Sequence, residues 1–192
     1  MSSEQTPSQT VGPYFAYALT PTQYGYNFTG IAGPQMVDEK VQGERIRVIG
    51  QVFDGEGVPV PDAMIKLWQA DAAGRYPDAS RQDGFTGFGR VGTGTDPRHR
   101  FWFDTIKPGA TLDGQAPHLN VMVLMRGLLS HLYTRIYFSD EDVLNASDPV
   151  LGSVEETRRQ TLIARRDETP AGTVYRFDIH MQGTSETVFF DV

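Results

Sequence analysis

The segment Pro117-His118-Leu119-Asn120 has the spacing of a metal site that lacks one of its ligands. Successive side chains on a β-strand point to opposite faces, so His118 and Asn120 are expected on the same face. Two histidines at this spacing would direct two imidazole nitrogens to one metal ion. An amide is a poor ligand for a transition metal beside an imidazole. The sequence therefore predicts a relative of a metalloprotein whose own metal site is incomplete.

A second segment, residues 87–92 (GFGRVG), matches the dinucleotide-binding fingerprint by its letters. That motif works only where it joins a strand to a helix whose N-terminus faces the pyrophosphate. The residues that follow, Thr93 to Pro97, read TGTDP and cannot begin such a helix. We expect a glycine-rich loop here and no nucleotide site.

Apolar side chains recur at every second position in several short segments, which is the pattern of half-buried β-strands. Strands are predicted around residues 46–52, 63–68, 101–104, 118–124, 132–138, 175–181 and 188–190. Glycine and proline separate these segments throughout the chain. The pattern predicts an all-β fold, a β-sandwich or barrel of short mixed strands.

One short helix is predicted to begin at Ser153, which forms a capping box with Glu156, and to end at Arg165 or Arg166. Residues 1–45 show little periodicity but contain too many aromatic side chains for a disordered tail. We expect an irregular N-terminal arm over residues 1–45, packed on a partner chain. Residues 46–192 are predicted to form the β-sandwich domain.

Composition excludes several classes of protein. The chain has 192 residues, a net charge of -7 and no cysteine. An acidic chain lacks the basic patches that bind nucleic acid or an anionic membrane, and the absence of cysteine fits a reducing compartment. No long apolar run and no basic, apolar leader is present, so a cytoplasmic protein is expected.

Several segments, taken in order, resemble the intradiol ring-cleaving dioxygenases. They are residues 67–76 (LWQADAAGRY), 105–109 (TIKPG), 117–120 (PHLN) and 134–138 (TRIYF). Residues 7–14, 175–179 and 186–191 strengthen the resemblance, which covers nearly the whole chain and is weakest over residues 15–44. More narrowly, the chain resembles the alpha subunits of the heteromeric members of this family.

The resemblance implies a catalytic chain that holds one ferric ion with two tyrosinates and two histidines. Tyr76 matches the first tyrosine and His118 the first histidine, whereas Thr111 and Asn120 stand where the second tyrosine and second histidine should be. Gln115 stands near the place of an arginine that lies beside the iron. We therefore expect a vestigial site that binds no metal, with Tyr76 and His118 bonded to each other or to the backbone. The Fe(III) cofactor is expected on the partner beta chain.

The resemblance also implies a substrate pocket where the alpha and beta chains meet, lined in part by this chain. The implied contacts are Thr10, Gly12, Pro13, Tyr14 and Arg126. Arg126 follows the strand that carries His118, which predicts a position near the vestigial centre and a charge-assisted bond to an aromatic carboxylate. An ordinary ion pair at the strand end is the alternative for Arg126, and Arg135 is the alternative residue for this role.

Two functions are consistent with the sequence. In the first, the chain is the alpha subunit of an alpha–beta oligomer that cleaves protocatechuate (3,4-dihydroxybenzoate) with O2 to 3-carboxy-cis,cis-muconate. In the second, it is a non-enzymatic β-sandwich binding module with a decayed metal site. The aromatic arm favours the subunit, because an isolated module does not need an extension that reaches across an interface.

Overall fold

The computed structural model describes residues 9–27, 30–78 and 84–191. These residues contain nine strands: β1 (Arg45–Phe53), β2 (Met64–Gln69), β3 (Phe88–Gly92), β4 (Arg100–Ile106), β5 (His118–Leu124), β6 (Leu132–Phe138), β7 (Ile163–Thr169), β8 (Gly172–Arg176) and β9 (Ile179–His180). They also contain three short α-helices, α1 (Phe15–Leu19), α2 (Asp142–Ser147) and α3 (Pro149–Ser153). Two 3-10 helices span Pro21–Tyr24 and Glu156–Leu162. Within this part of the chain, no helix has the length and apolar character that crossing a membrane requires.

The strands form two sheets that share β7. The first sheet has the order β3-β2-β5-β6-β7, and the second has the order β7-β8-β1-β4, with β9 paired to β1. Strand β6 runs parallel to β7, and β1 runs parallel to β8 and β9, whereas the other pairs are antiparallel. The fold is therefore an all-β sandwich of mixed strands, as the alternating pattern predicts.

The core lies between the inner faces of the two sheets. Alternate residues of each strand point inward and pack into one apolar cluster, while their neighbours point outward. Buried members from the two sheets include Ile65, Leu67, Leu119, Val121, Val48, Phe101, Phe103 and Tyr175. Since each fully buried large apolar side chain contributes on the order of 1.5–3 kcal/mol, this cluster is the main source of stability.

Strands β1, β2, β4, β5 and β6 confirm the strands predicted from alternation. The predicted strand over residues 175–181 is divided into β8 and β9, and residues 188–190 contribute only the bridge between Phe190 and Tyr133. The predicted glycine-rich loop at residues 87–92 is wrong, because Phe88–Gly92 forms edge strand β3. Gly89 is needed there, since a Cβ atom would lie 2.7 Å from Met36 Sδ and 2.8 Å from Phe103 Cδ1.

The single helix predicted from Ser153 to Arg165 or Arg166 is wrong in its start, end and type, because within that span the structure has a 3-10 helix, Glu156–Leu162. Ser153 is the last residue of α3, and its hydroxyl donates to the Val150 carbonyl (2.7 Å) rather than capping a new helix. The helix begins earlier because the Asp148 side chain accepts from the backbone N–H groups of Val150 and Leu151. Arg165 belongs to strand β7 instead of a helix C-terminus.

The described part of the N-terminal arm is largely irregular, as predicted. It contains only α1 and the first 3-10 helix before β1 begins at Arg45. Its tyrosine rings contact one another, with Tyr17 4.5 Å from Tyr24 and 6.1 Å from Tyr14 between ring centroids. The Gln23 amide fixes this unit to β3 by bonding the N–H (2.7 Å) and C=O (3.1 Å) groups of Gly92.

A charged network joins the ends of β4 and β6 to β7 and β8. Asp140 lies 2.8 Å from Lys107 Nζ and 2.6 Å from Arg166 Nη1, and it accepts from the Tyr175 hydroxyl at 3.0 Å. Lys107 also pairs with Glu141 at 2.5 Å. Burial alone raises the pKa of Asp140, but these hydrogen bonds outweigh it and lower the pKa to about 2. The ion pairs of Asp140 with Lys107 and Arg166 therefore stabilise the fold only while Asp140 is ionised.

Replacing Asp140 with asparagine should lower the free energy of unfolding by about 1 kcal/mol at neutral pH, after allowing for solvent screening. Because the folded pKa is depressed, this stabilisation is fully present above the unfolded value of about 3.9 and is lost as pH falls toward 2. Urea unfolding of both proteins across this range measures the effect. A difference that does not change with pH would show that the carboxylate charge is not its source.

Candidate functional site

The vestigial centre predicted from the sequence is a hydrogen-bonded cluster. Tyr76 follows the turn after β2, and its hydroxyl lies 3.1 Å from His118 Nε2 at the start of β5. Asn120, two residues further along the same face, donates through Nδ2 to the Tyr76 oxygen at 2.8 Å. Trp68 of β2 stacks on Tyr76 with ring centroids 5.7 Å apart. The expectation that Tyr76 and His118 bond to each other is confirmed.

The turn that carries Tyr76 is held against the segment that carries Thr111. Gly74 has a left-handed φ of 76°, and a Cβ atom there would lie 1.8 Å from the Ala110 oxygen. Any other residue would separate the two segments, because no side chain fits in that space. The Thr111 hydroxyl donates to the Asp113 carboxylate, so it is not directed at Tyr76.

Arg135 and Gln115 complete the edge of this centre. Arg135 lies opposite Asn120 in the β5–β6 register, and its Nη1 donates to Gln115 Oε1 at 2.6 Å. Gln115 Nε2 in turn donates to Asp113 at 2.5 Å. Arg135 also reaches the Tyr137 hydroxyl at 3.3 Å. Its positive charge therefore lies beside Tyr76 and His118, held by neutral partners.

A buried carboxylate fixes the backbone that leads into His118. Asp148 is almost fully buried and accepts from Ala116 N (2.7 Å) and from the Tyr137 hydroxyl (3.0 Å) as well as from the start of α3. Burial raises the pKa of Tyr137 to about 12, so its hydroxyl remains a donor. The start of β5 is consequently rigid, and His118 has one defined orientation.

The residues at this centre do not fit a ferric ion. His118 Nδ1 donates to the Ala116 carbonyl (2.7 Å), so Nε2 carries the lone pair that accepts the Tyr76 hydroxyl. Burial raises the pKa of Tyr76, which opposes the tyrosinate form, and burial lowers the pKa of His118. The remaining positions offer the hydroxyl of Thr111 and the amide of Asn120, neither of which replaces a phenolate or an imidazole.

A second cluster forms where the arm meets the turn after β5. Thr10 Oγ1 accepts from the backbone N–H of Gly127 at 2.9 Å, and Arg126 Nε donates to Asp62. The Arg126 side chain is 57% exposed. Burial raises the pKa of Tyr24, and the neighbouring charges of Tyr17 and Asp62 raise it further. The first residues of the arm, the Arg126 turn and the tyrosine cluster are therefore parts of one surface.

The predicted contacts Gly12, Pro13 and Tyr14 lie on the open side of this surface. All three are exposed, with Tyr14 at 77%, and no atom lies within 4 Å of a Cβ built on Gly12. Beside them is a pocket of about 190 Å³ between the arm and the β5–β6 turn. It is lined by Gln9, Val11, Leu124, Met125, Leu128, Leu129, Ser130 and His131.

The structure separates two features that the sequence places together. His118 is the first residue of β5, whereas Arg126 lies two residues beyond its last residue, Leu124. At about 3.3 Å per residue, they are roughly 25 Å apart. The expectation that Arg126 lies near the vestigial centre is therefore wrong, and Arg135 occupies that place. Arg126 instead lies in the turn that Thr10 contacts through Gly127; the resemblance groups these two residues, whereas the strand pattern does not.

Two further residues at these sites were not anticipated from the sequence. Asp62 pairs with Arg126, and its position between Pro61 and Ala63 identifies only a turn before β2. Trp68 stacks on Tyr76. The alternation of Ile65 and Leu67 predicts that Trp68 points outward, but it does not predict this contact. Neither contact can be predicted without first knowing which strands are neighbours in the sheet.

Comparison with known proteins places this geometry in a family. A family model described as a dioxygenase matches residues 11–183 of the chain. The chain belongs to this dioxygenase family, and the resemblance to intradiol dioxygenases is confirmed. The dioxygenase domain of a dioxygenase–carbohydrate-binding fusion from Streptomyces sp. SirexAA-E has the same fold, with a TM-score of 0.61 and 22% identity over 95% of this chain and 100% of that one.

Two curated relatives are more similar in sequence. The protocatechuate 3,4-dioxygenase alpha chain of Burkholderia cepacia is 56% identical, with 98% of each chain covered. The protocatechuate 3,4-dioxygenase beta chain of the same organism is 38% identical over 76% of this chain and 67% of its own length. The chain is thus similar to both subunits of one enzyme and matches the alpha chain along nearly its full length.

Proposed function

We propose that this chain is the alpha subunit of a heteromeric intradiol dioxygenase that cleaves protocatechuate with O2 to 3-carboxy-cis,cis-muconate. The match to an alpha chain over 98% of both sequences supports the subunit assignment. The binding-module alternative is not favoured, since it does not account for similarity to two chains of one enzyme.

The observation that carries the proposal is that the vestigial centre is an incomplete ligand set whose residues are hydrogen-bonded to one another. Tyr76, His118 and Asn120 satisfy one another by hydrogen bonds, and Thr111 bonds to Asp113 instead of completing a ligand set. An oxygenase built from this chain therefore takes its ferric ion from another subunit. In this proposal the beta chain holds the Fe(III), which activates the bound catechol for reaction with O2.

The alpha chain would contribute the wall of the substrate pocket. Thr10, Gly12 and Pro13 bring exposed backbone to a flat ring, and Arg126 would bind the ring carboxylate. Arg126 is favoured over Arg135 because it is exposed beside Thr10, whereas Arg135 is bonded to Gln115 at the vestigial centre. The part of the arm with the exposed residues Gly12, Pro13 and Tyr14 would lie on the beta chain, whereas Gln23 and Met36 of the arm pack on this chain itself. Higher-order alpha–beta assembly and a cytoplasmic location stay predictions.

The test is to purify this chain and an iron-loaded beta chain separately, then to combine them and follow protocatechuate turnover. Activity should rise with added alpha chain and reach a plateau at equal amounts of the two subunits. The alpha chain alone should be inactive. Full activity of the beta chain without this chain would refute the proposed role.

A further inference from the structure

Two cations lie side by side on the outer face of the first sheet without a carboxylate partner in the described residues. Arg90 of β3 is in register with Lys66 of β2. The preceding residue, Gly89, faces the core, so the Arg90 side chain points to the opposite, outer face. Arg90 is only 6% exposed, and its Nε has no hydrogen-bond partner among the residues that the structure describes. Neither residue forms an ion pair within the described parts of the chain.

This arrangement is costly for an isolated chain. A buried guanidinium loses hydration, and it regains that energy only through acceptors that satisfy its N–H groups. Burial lowers the pKa of Lys66, and the nearby charge of Arg90 lowers it further. Burial also lowers the pKa of Arg90. In a protein with a net charge of -7, anions to pair with these cations are plentiful, yet none of the described ones lies there.

The surroundings of the pair have the composition of a protein interface. In the next row of the same face, Trp68 is 38% exposed and stacks on Tyr76, which is 37% exposed. Met122 pairs with Lys66 on the other side of β2 and is half-buried. Aromatic residues, methionine and arginine are enriched at the centres of interfaces, where charges are paired with the partner.

We propose that Lys66 and Arg90 bind a carboxylate side chain of the second subunit, which covers the part of the outer face around these residues and Trp68. The other end of this face, at Gly92, is already bonded to Gln23 of the arm. This inference rests on the proposed function, because it takes the beta chain as the occupant. The beta chain is taken as the occupant because this chain is similar to both subunits of one enzyme, and a second copy of this chain is tested as the alternative.

The test compares Arg90→Met and Lys66→Met with the wild-type chain in binding to the beta chain. Each variant should weaken the complex roughly ten- to hundredfold, because a charge-assisted bond to the partner is lost. The weakening should be smaller at high ionic strength, where the wild-type pair is already screened. Arg165→Gln is the matched control, since it removes one positive charge from exposed β7, outside this face, and its affinity should be unchanged.

Thermal unfolding of the isolated chains separates an interface residue from a structural one. Methionine fills the volume of the arginine without its unpaired charge, so Arg90→Met should leave the melting temperature unchanged or raise it while the complex weakens. A lower melting temperature, or an unchanged affinity for the beta chain, would overturn the proposal. Self-association of the wild-type chain that Arg90→Met abolishes would also overturn it, because a second copy would then occupy the face. If the wild-type chain does not bind the beta chain, the proposed function itself fails.

Discussion

Replacing Arg126 with alanine should raise the Michaelis constant for protocatechuate by roughly tenfold or more in the assembled enzyme. The cause is the loss of a charge-assisted bond to the ring carboxylate. Catechol has no carboxylate, so its Michaelis constant should change much less. Arg126 is suited to this role because Asp62 holds it through Nε, and no bond from its terminal nitrogens to the described residues is present. Steady-state kinetics with both substrates measure the effect.

Two variants make the Arg126 result specific. Arg165→Ala is the matched control, because Arg165 is likewise an exposed arginine paired with an aspartate, Asp167, but on β7. It should leave both constants unchanged. Arg135→Ala tests the alternative residue at the vestigial centre. If Arg126→Ala raises the Michaelis constants of both substrates equally, Arg126 stabilises the fold or the interface and does not bind the carboxylate. If only Arg135→Ala raises the constant for protocatechuate, Arg135 is the residue that binds the carboxylate.

Removing residues 1–14 should reduce turnover of the mixed subunits by roughly tenfold or more and weaken their association. The deletion removes Thr10, whose hydroxyl fixes the Arg126 turn through Gly127, together with the exposed Gly12, Pro13 and Tyr14. Obligate heteromeric interfaces typically bury upward of about 2,000 Å² in total, to which an aromatic arm contributes. Sedimentation and activity titration measure assembly and turnover separately.

A shorter truncation defines which part of the arm is responsible. A chain that lacks only residues 1–8 retains Thr10 and Tyr14, so the difference between the two truncations measures the contribution of residues 9–14. The chain that lacks residues 1–14, measured without the beta chain, should keep the melting temperature of the full-length chain, because the core lies between the two sheets. If the chain that lacks residues 1–14 assembles and supports full activity, the arm is not part of the substrate site.

The fold was largely predictable because apolar alternation is a local signal. Strands such as β1, β5 and β6 each bury one face against the other sheet, and the sequence records this at every second residue. Strand β3 was missed because Gly89 is required by close contact with Met36 and Phe103, which is a tertiary constraint. Strand β7 was missed because most of its side chains are polar, so apolar alternation is absent, and Arg166 is paired with Asp140 in the turn after β6.

The two sites were predictable to different degrees. Period-two geometry placed His118 and Asn120 on one face, and the structure confirms that both reach Tyr76. The predicted position of Arg126 was wrong because His118 and Arg126, although close in sequence, lie near opposite ends of the same strand. Eight residues of extended chain cover about 25 Å. Thr10 and Gly127, the residue after Arg126, are more than one hundred residues apart in the sequence, and the course of the N-terminal arm brings them together.

Iron analysis of this chain purified alone and together with the beta chain tests the central claim most directly. The isolated chain should contain no stoichiometric iron and should lack the visible absorption of an iron–tyrosinate centre, because Thr111 and Asn120 replace two ligands and Tyr76 bonds to His118. The complex should contain one iron for each alpha–beta pair, together with that absorption. An isolated chain that is coloured and loaded with iron would contradict the account.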